Sequence, residues 1–513
     1  MIDSATRTHA VIARFIATIA RSAPTSALAW LAGCALFFAA AERLERKSPE
    51  SSPTRTAAPW PRNVLHRAAT AQDWTRFGWD AGRSSAPTAP TGLTAANVAS
   101  LRKQRVAIDG IVDASAIYLH GALVNGRPHD AFFVTTTYGK TLAIDADDGA
   151  VLWTYSPPGY DTWAGSYQVT TSTPLADPSR AFIYAASPDG RIQKLAVADG
   201  RRVWSTAITN LPRREKIASP LNYVAGHVVA TTGGYIGDAP PYQGHVAVLD
   251  GASGRLLHVW NSLCSDRQGL LDPASCSESG SAIWGRAGAV IDSTNGHIFV
   301  ATGNGRWDGR TNWGDATLEL DTDATRLIAN YTPTNTDALA ARDADLGSTS
   351  PVLLGGGLVA QGGKDGSIRL LDWARMQGPP PHRGGERQSV ATPSGADLFT
   401  APAVLRRMNG TWVFVADEGG TAAWALRDGR LTSLWRNGNA GTSPVVADGL
   451  VFVYDPRGRL RVYDAAMGRQ LAELACGSGH WNSPIVADGR IALPEGNSND
   501  HSTSGFLDIW RLP

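Results

Sequence analysis

The chain has 513 residues, with 47 Lys and Arg against 46 Asp and Glu, a formal net charge of +1. That balance excludes a basic face large enough to grip nucleic acid. With 54 Gly, 30 Pro and 17 Trp, and no long 3.6-residue periodicity after residue 100, the composition excludes a helical bundle and favours many short strands joined by turns.

The N-terminus differs from the rest. Arg7, Arg14 and Arg21 precede "SALAWLAGCALFFAAA" (26–41), which carries no charge, and "ERLERKSPESSPTRTAAP" follows. A basic leader, a short apolar core and an Ala-rich end read as a secretory signal over residues 1–41, with cleavage near Ala41. The apolar stretch is short for a spanning helix, and an uncleaved membrane anchor is the alternative. "LAGC" resembles a lipoprotein box that would lipidate Cys34, although the apolar "ALFF" follows where such a signal turns polar. Residues 42–72 read as a Pro/Ser-rich linker, and 73–513 as the folded body. The expectation is an exported protein, periplasmic or secreted, released or held at a membrane.

From residue 113 the chain repeats itself. Short apolar runs opened by a small residue, most with Pro, recur eight times, among them "TSTPLA", "ASPLNY", "TAPAVL" and "NSPIVA". Pro is tolerated at a strand start because its missing N–H is not needed there. Two further runs follow most of these, as in "FFVTTTYG" then "KTLAIDADDG", and a fourth often carries Trp: Trp153, Trp204, Trp260, Trp435. The turn before the fourth run, such as Asp145 to Gly149 or Asp464 to Gly468, joins an Asp that bonds its own backbone to a Gly that supplies positive φ. Four-stranded units of roughly 40 to 60 residues repeated in this way predict an all-β, eight-bladed β-propeller, with the Trp side chains packed between neighbouring sheets. The last unit stops short, and "NVASLRKQRVAID" (97–109) is a strand without a sheet of its own, so the N-terminal strand is expected to close the ring.

Cysteines are few: Cys34, Cys264, Cys276 and Cys476. Cys264 and Cys276 share one polar loop, where an exported protein would form a disulfide; a metal pair lacks a His at ligand spacing. Cys476 is left as a free, buried thiol. No C-x-x-C-H occurs, so no attached haem is expected.

"DWTRFGWDAGRSS" (73–85), "LTAANVASL" and the blade motif "AIDADDGAVLW" resemble the quinoprotein alcohol dehydrogenase-like propellers, whose repeats are named after pyrroloquinoline quinone (PQQ). The same scaffold serves PQQ dehydrogenases and a non-catalytic outer-membrane assembly lipoprotein, so the fold alone does not settle function. In the dehydrogenases a Lys or Arg in a K-x-G turn touches the quinone oxygens; "QGGKDGSIRLLD" resembles that segment and makes Lys364 its match. "HIFVATGNGRWDG" resembles the segment whose Asn ligates the metal, which points to Asn304; a carbonyl oxygen suits Ca²⁺ or a lanthanide ion. "ARDADLGSTSPVL" resembles the segment with the catalytic aspartate, which falls on Asp343, both base and metal ligand. Arg342 replaces the family's preceding Trp. Asp345 resembles the extra metal carboxylate of lanthanide-using members. Trp284, in "SAIWGRAGAV", resembles the Trp beneath the quinone ring, two residues out of register. "GHW" (His480, Trp481) is a candidate for the ring axis, whereas "DGRTNWGDA" reads as a polar loop without catalytic spacing.

The departures are substantial. "TTGGYIGDAPPYQGHVAVLD" lacks the family's metal-binding Glu and offers only Asp238. The adjacent-Cys lid is missing, and "SYQVTTSTPL" replaces the Asn-Arg-Gly that contacts the quinone. Two functions are therefore carried forward. One is a PQQ- and metal-dependent oxidation of an alcohol or sugar hydroxyl, with electrons leaving to a separate acceptor. The other is a non-catalytic scaffold that binds a protein or polysaccharide.

Overall fold

The computed structural model describes residues 73–513 except 277, 379, 380 and 409; the signal or anchor (1–41), Cys34 and the linker (42–72) lie outside the described residues. Eight four-stranded antiparallel sheets follow one another along the chain and form the blades of a propeller. Blades 1 to 7 span residues 117–155, 175–207, 222–261, 290–331, 352–391, 403–437 and 445–475. Each is a simple meander in which the first strand is innermost and the fourth outermost. Blade 8 takes three strands from the C-terminus (Ile485–Ala487, Arg490–Glu495, Gly505–Arg511) and its outer strand from Arg102–Ile108. That strand pairs antiparallel with Gly505–Arg511, from Arg102 opposite Arg511 to Ile108 opposite Gly505.

Burial follows position in the blade. The middle strand Thr141–Asp145 is buried at every residue because a neighbouring sheet covers each face, whereas Arg102–Ile108 at a rim buries only Val106 and Ile108. The fourth-strand tryptophans weld one blade to the next. Trp153, Trp204 and Trp435 lie on the turn glycines of the following blades: a Cβ on Gly200, Gly254 or Gly468 would sit 2.6, 2.4 or 2.5 Å from ring atoms. Those glycines also have φ of +71°, +75° and +68°, so the position demands Gly twice, for backbone and for space. Trp260 joins the core with Val300 and Leu318 of blade 4. On Gly149 of blade 1 the same place is taken by Val106 and Gln104 of the N-terminal strand, with Cβ distances of 2.6 and 2.7 Å.

Residues 74–85 cross the centre of the ring. Trp74 exchanges backbone hydrogen bonds with Tyr118 of blade 1; Thr75 O accepts from Ala176, Ala81 O from Ile291, Ser84 O from Val404 and Ser85 O from Val446. One short segment thus satisfies inner-strand N–H groups of blades 1, 2, 4, 6 and 7, which is possible only near the axis. Asn222 of blade 3 adds a side-chain bond to Ala81 O at 2.9 Å. The disulfide forms between Cys264 and Cys276, with Cα atoms 6.1 Å apart. Cys476 is free and only partly buried rather than fully so; burial first, then the charge of Glu495, push its thiol up to about 12.

Candidate functional site

In a four-stranded antiparallel meander, the turn between the second and third strands and the connection to the next blade emerge at the same end. The residues singled out in the sequence lie on such segments. Lys364 is in the second turn of blade 5, between Leu358–Gln361 and Ser367–Asp372. Asn304 is in the second loop of blade 4, between Ile298–Ala301 and Thr317–Leu320. Trp284 lies on the connection from blade 3 to 4, and Asp343 and Asp345 on that from 4 to 5. All five therefore share one face of the propeller.

They also come together. Lys364 Nζ lies 3.0 Å from Asp343 Oδ1 and 2.9 Å from Asp345 Oδ2. Asn304 donates from Nδ2 to Asp343 Oδ1 and from its backbone N–H to Asp345 Oδ1, both at 2.8 Å. The Lys364 ammonium stands 5.4 Å from the centroid of the Trp284 ring, within cation–π range. The two aspartates differ sharply: Asp343 is 62% exposed at its side chain, Asp345 only 8%. Asp343 has a left-handed backbone, φ 54°, which turns its carboxylate out of the connection. Asp345 precedes the turn Leu346–Ser348, and its carbonyl accepts from Lys364 N at 2.9 Å. Gly303 lets it in: a Cβ there would lie 3.1 Å from Asp345 Oδ1 and 3.2 Å from Trp284 Nε1.

Burial raises the Asp345 carboxyl above its usual range, against the pull of Lys364. Burial also opposes charge on Lys364, but Asp345 and then Asp343 outweigh it and raise the ammonium. Two further carboxyl groups stand close to this cluster. Desolvation, then the charge of Asp345, raises Asp238, in the loop between the second and third strands of blade 3. Asp315 is fully buried; one oxygen accepts from Leu346 N at 2.9 Å and the other has no partner. Burial pushes it up to about 7. Asp315 sits in "DGRTNWGDA", the loop that reads in sequence as an uncommitted polar turn; its sequence signal is only an Asp after Gly, and the site position comes from the long loop folding back.

A hard cation needs clustered oxygen ligands with negative charge. Asn304 Oδ1 is buried without a hydrogen-bond partner, beside the carboxylates of Asp343 and Asp345. An orphaned carbonyl oxygen in that company fits a metal ligand, so the donor set suits Ca²⁺ or a lanthanide ion. Trp284 extends into an aromatic chain across the axis: Phe399 lies 6.1 Å and Trp481 6.5 Å from it, and Phe399 and Trp481 are 5.5 Å apart. These rings come from the connections between blades 3 and 4, 5 and 6, and 7 and 8, so they meet near the centre. Phe399 carried no sequence signal. His120, Asp130 and Asp488 also converge elsewhere, but the Arg490 guanidinium lies 3.2 Å from Asp130 and 3.4 Å from Asp488, so that group is a charge network.

A family model described as outer membrane protein assembly factor BamB matches residues 85–269 and 409–504. A polyvinylalcohol dehydrogenase from Pseudomonas sp is 24% identical over 442 residues, covering 77% of this chain; the match spans 66% of that relative, just under two thirds of its length. Among solved structures, a quinohemoprotein alcohol dehydrogenase from Pseudomonas putida HK5 has a TM-score of 0.64 at 16% identity, over 86% of this chain and 80% of that one. A europium-containing methanol dehydrogenase has a TM-score of 0.64 at 15% identity, over 86% of this chain and 98% of its own. At such identities the structural likeness speaks for the fold.

Proposed function

The chain belongs to the quinoprotein alcohol dehydrogenase-like family of eight-bladed PQQ-repeat propellers, and on that premise we propose that the Asn304–Asp343–Asp345–Lys364 cluster binds PQQ with a hard metal ion and oxidises a hydroxyl group. The observation that carries the reading is the orphaned Asn304 Oδ1 beside two carboxylates and a lysine poised over Trp284. PQQ, when bound, supplies the hydride acceptor. Asn304 Oδ1 and the carboxylates of Asp343 and Asp345 are the metal ligands in this reading. Asp343, exposed and turned outward, takes the substrate hydroxyl proton. Lys364 directs positive charge above the Trp284 face, where it favours an electron-rich ring over a neutral one. Trp284 gives a flat apolar surface for stacking.

The substrate class is an alcohol, with secondary alcohols such as those of polyvinylalcohol first in line, since the relative quoted above is named for that substrate; a sugar hydroxyl has the same chemistry. Electrons leave to a separate acceptor, as the chain has no C-x-x-C-H haem motif. Export is part of the proposal. It is supported by the basic-apolar leader and by the Cys264–Cys276 disulfide, which oxidising compartments preserve. Among the described residues no helix is long and apolar enough to cross a membrane.

Absence of the metal-binding Glu, the Asn-Arg-Gly segment and the Cys pair favours the second reading, a non-catalytic scaffold. Titration with PQQ, with and without Ca²⁺ or La³⁺ and followed by tryptophan quenching, separates the two. The quinoprotein reading expects saturable, metal-dependent binding that weakens about tenfold or more in Lys364→Ala. No binding with any metal would leave the scaffold.

A further inference from the structure

Two cations beyond this cluster have no counter-ion of their own. Arg286, two residues after Trp284, is 4% exposed. Its Nη1 donates to Thr171 O at a long 3.3 Å, while Nε and Nη2 are buried with no partner. The guanidinium stands 5.1 Å from the centroid of Phe77, on the N-terminal segment that crosses the axis. Lys216 belongs to a two-stranded ribbon, Glu215–Lys216 with Gly233–Gly234, in which it pairs with Gly233. Directly paired residues in an antiparallel ribbon project to the same face. A Cβ on Gly233 would lie 3.1 Å from Trp284 Cβ, so Lys216 leaves the ribbon on the side where Trp284 stands. Lys216 is partly buried, and its ammonium has no hydrogen bond or ion pair among the described residues.

Asp113 is the acid whose charge reaches both cations. Its oxygens are already committed: Trp481 N donates at 2.7 Å, Ser498 N at 3.0 Å and the His480 ring at 2.9 Å. Burial pushes Lys216 down to about 8, and the charge of Arg286 adds to the lowering. Burial likewise pushes Arg286 down to about 10. A guanidinium held out of water with a like charge in range destabilises a fold unless something answers it.

We propose that Lys216 and Arg286 form an anion site on the ring axis that takes a carboxylate. Two free donors of a guanidinium and an ammonium suit the two oxygens of a carboxylate. Two sources share that chemistry: an acidic quinone, and a free small carboxylate. The first rests on the function proposed above, and there the pair would stand in for the arginine of the Asn-Arg-Gly segment that this chain lacks. The second does not depend on it.

The test titrates the intact protein with citrate and, separately, with PQQ plus Ca²⁺, following tryptophan emission. Native protein is compared with Lys216→Met, Arg286→Met and Lys364→Ala; Lys216→Gln is read in the same way should the Met variant not fold. Saturable binding of citrate or PQQ that weakens at least tenfold in Lys216→Met, with an unchanged circular dichroism spectrum, supports the site. Citrate binding that depends on Lys216 in a protein that never binds PQQ supports the site and removes the quinone reading. PQQ binding that falls in Lys364→Ala but stays within twofold in Lys216→Met and Arg286→Met overturns the anion site and leaves the quinone reading standing. No saturable response to either probe in the native protein overturns it too.

Discussion

Asp343 and Asp345 share one lysine but not one environment. Lys364 and Asp345 are 13% and 8% exposed, so removing the lysine strands a buried carboxylate, whereas Asp343 faces water. Lys364→Ala is expected to cost about 3–5 kcal/mol in urea unfolding near neutral pH, and Asp343→Asn less than about 1 kcal/mol. Equal losses would mean the burial contrast does not operate in solution. Asp315 gives a pH signature. Its carboxyl ionises near the ordinary value when unfolded, but only at about 7 when folded. Between those values the folded state keeps a proton that the unfolded state has lost, so stability falls as pH rises from about 4 to about 7. Asp315→Asn should flatten that fall and unfold at higher urea than native protein at pH 8, though not at pH 4; a parallel slope in the variant would refute the assignment. Lys364, Asn304, Asp343, Asp345 and Trp284 were singled out in the sequence because each sits in a segment that resembles a site segment of the quinoprotein family, not because its local pattern demands a site. Asp315, Phe399, Lys216 and Arg286 were not, because nothing local separates them from loop and turn residues until distant loops meet.

Within the blades, the informative pair is the fourth-strand Trp and the turn Gly one blade on. Both recur visibly along the chain, but the sequence does not say that Trp153 rests on Gly200 rather than on the turn of its own blade. The structure assigns the partner to the next sheet, and Trp153 Nε1 bonds Val197 O of that turn at 2.9 Å. Gly200→Ala meets both a left-handed φ and an indole 2.6 Å away. The expected cost is roughly 2–4 kcal/mol from strain and overpacking together, against roughly 1–2 kcal/mol for Gly355→Ala, whose φ is also positive but whose surroundings are open. Comparison of the two variants by thermal unfolding isolates the packing part.

Across the whole molecule, the ends of the fold are tied into one sheet. Gly505–Arg511 lies between Arg102–Ile108 and Arg490–Glu495, so its backbone serves two ladders. Ile509→Pro removes a donor from that central strand and should destabilise the protein by about 3 kcal/mol or more, seen as a lower melting temperature. If the ring did not depend on this strand, the change would show as local fraying with the main transition unmoved. Residues 74–85 act at the same scale, since a single segment bonds the inner strands of five blades and sets the axis that Arg286 faces.

Strand periodicity, prolines at inner-strand starts, Asp–Gly turns and the incomplete last repeat determined the all-β propeller and its eight units from sequence alone, because each is a local backbone requirement repeated along the chain. Only the tertiary structure decided which carboxylates surround Lys364, that Asn304 leaves an oxygen unpartnered, and that Arg286 is buried with Nε and Nη2 unpartnered. Those facts depend on loops from different blades converging on one centre, and the burial that gives them chemical weight exists only once the ring has formed.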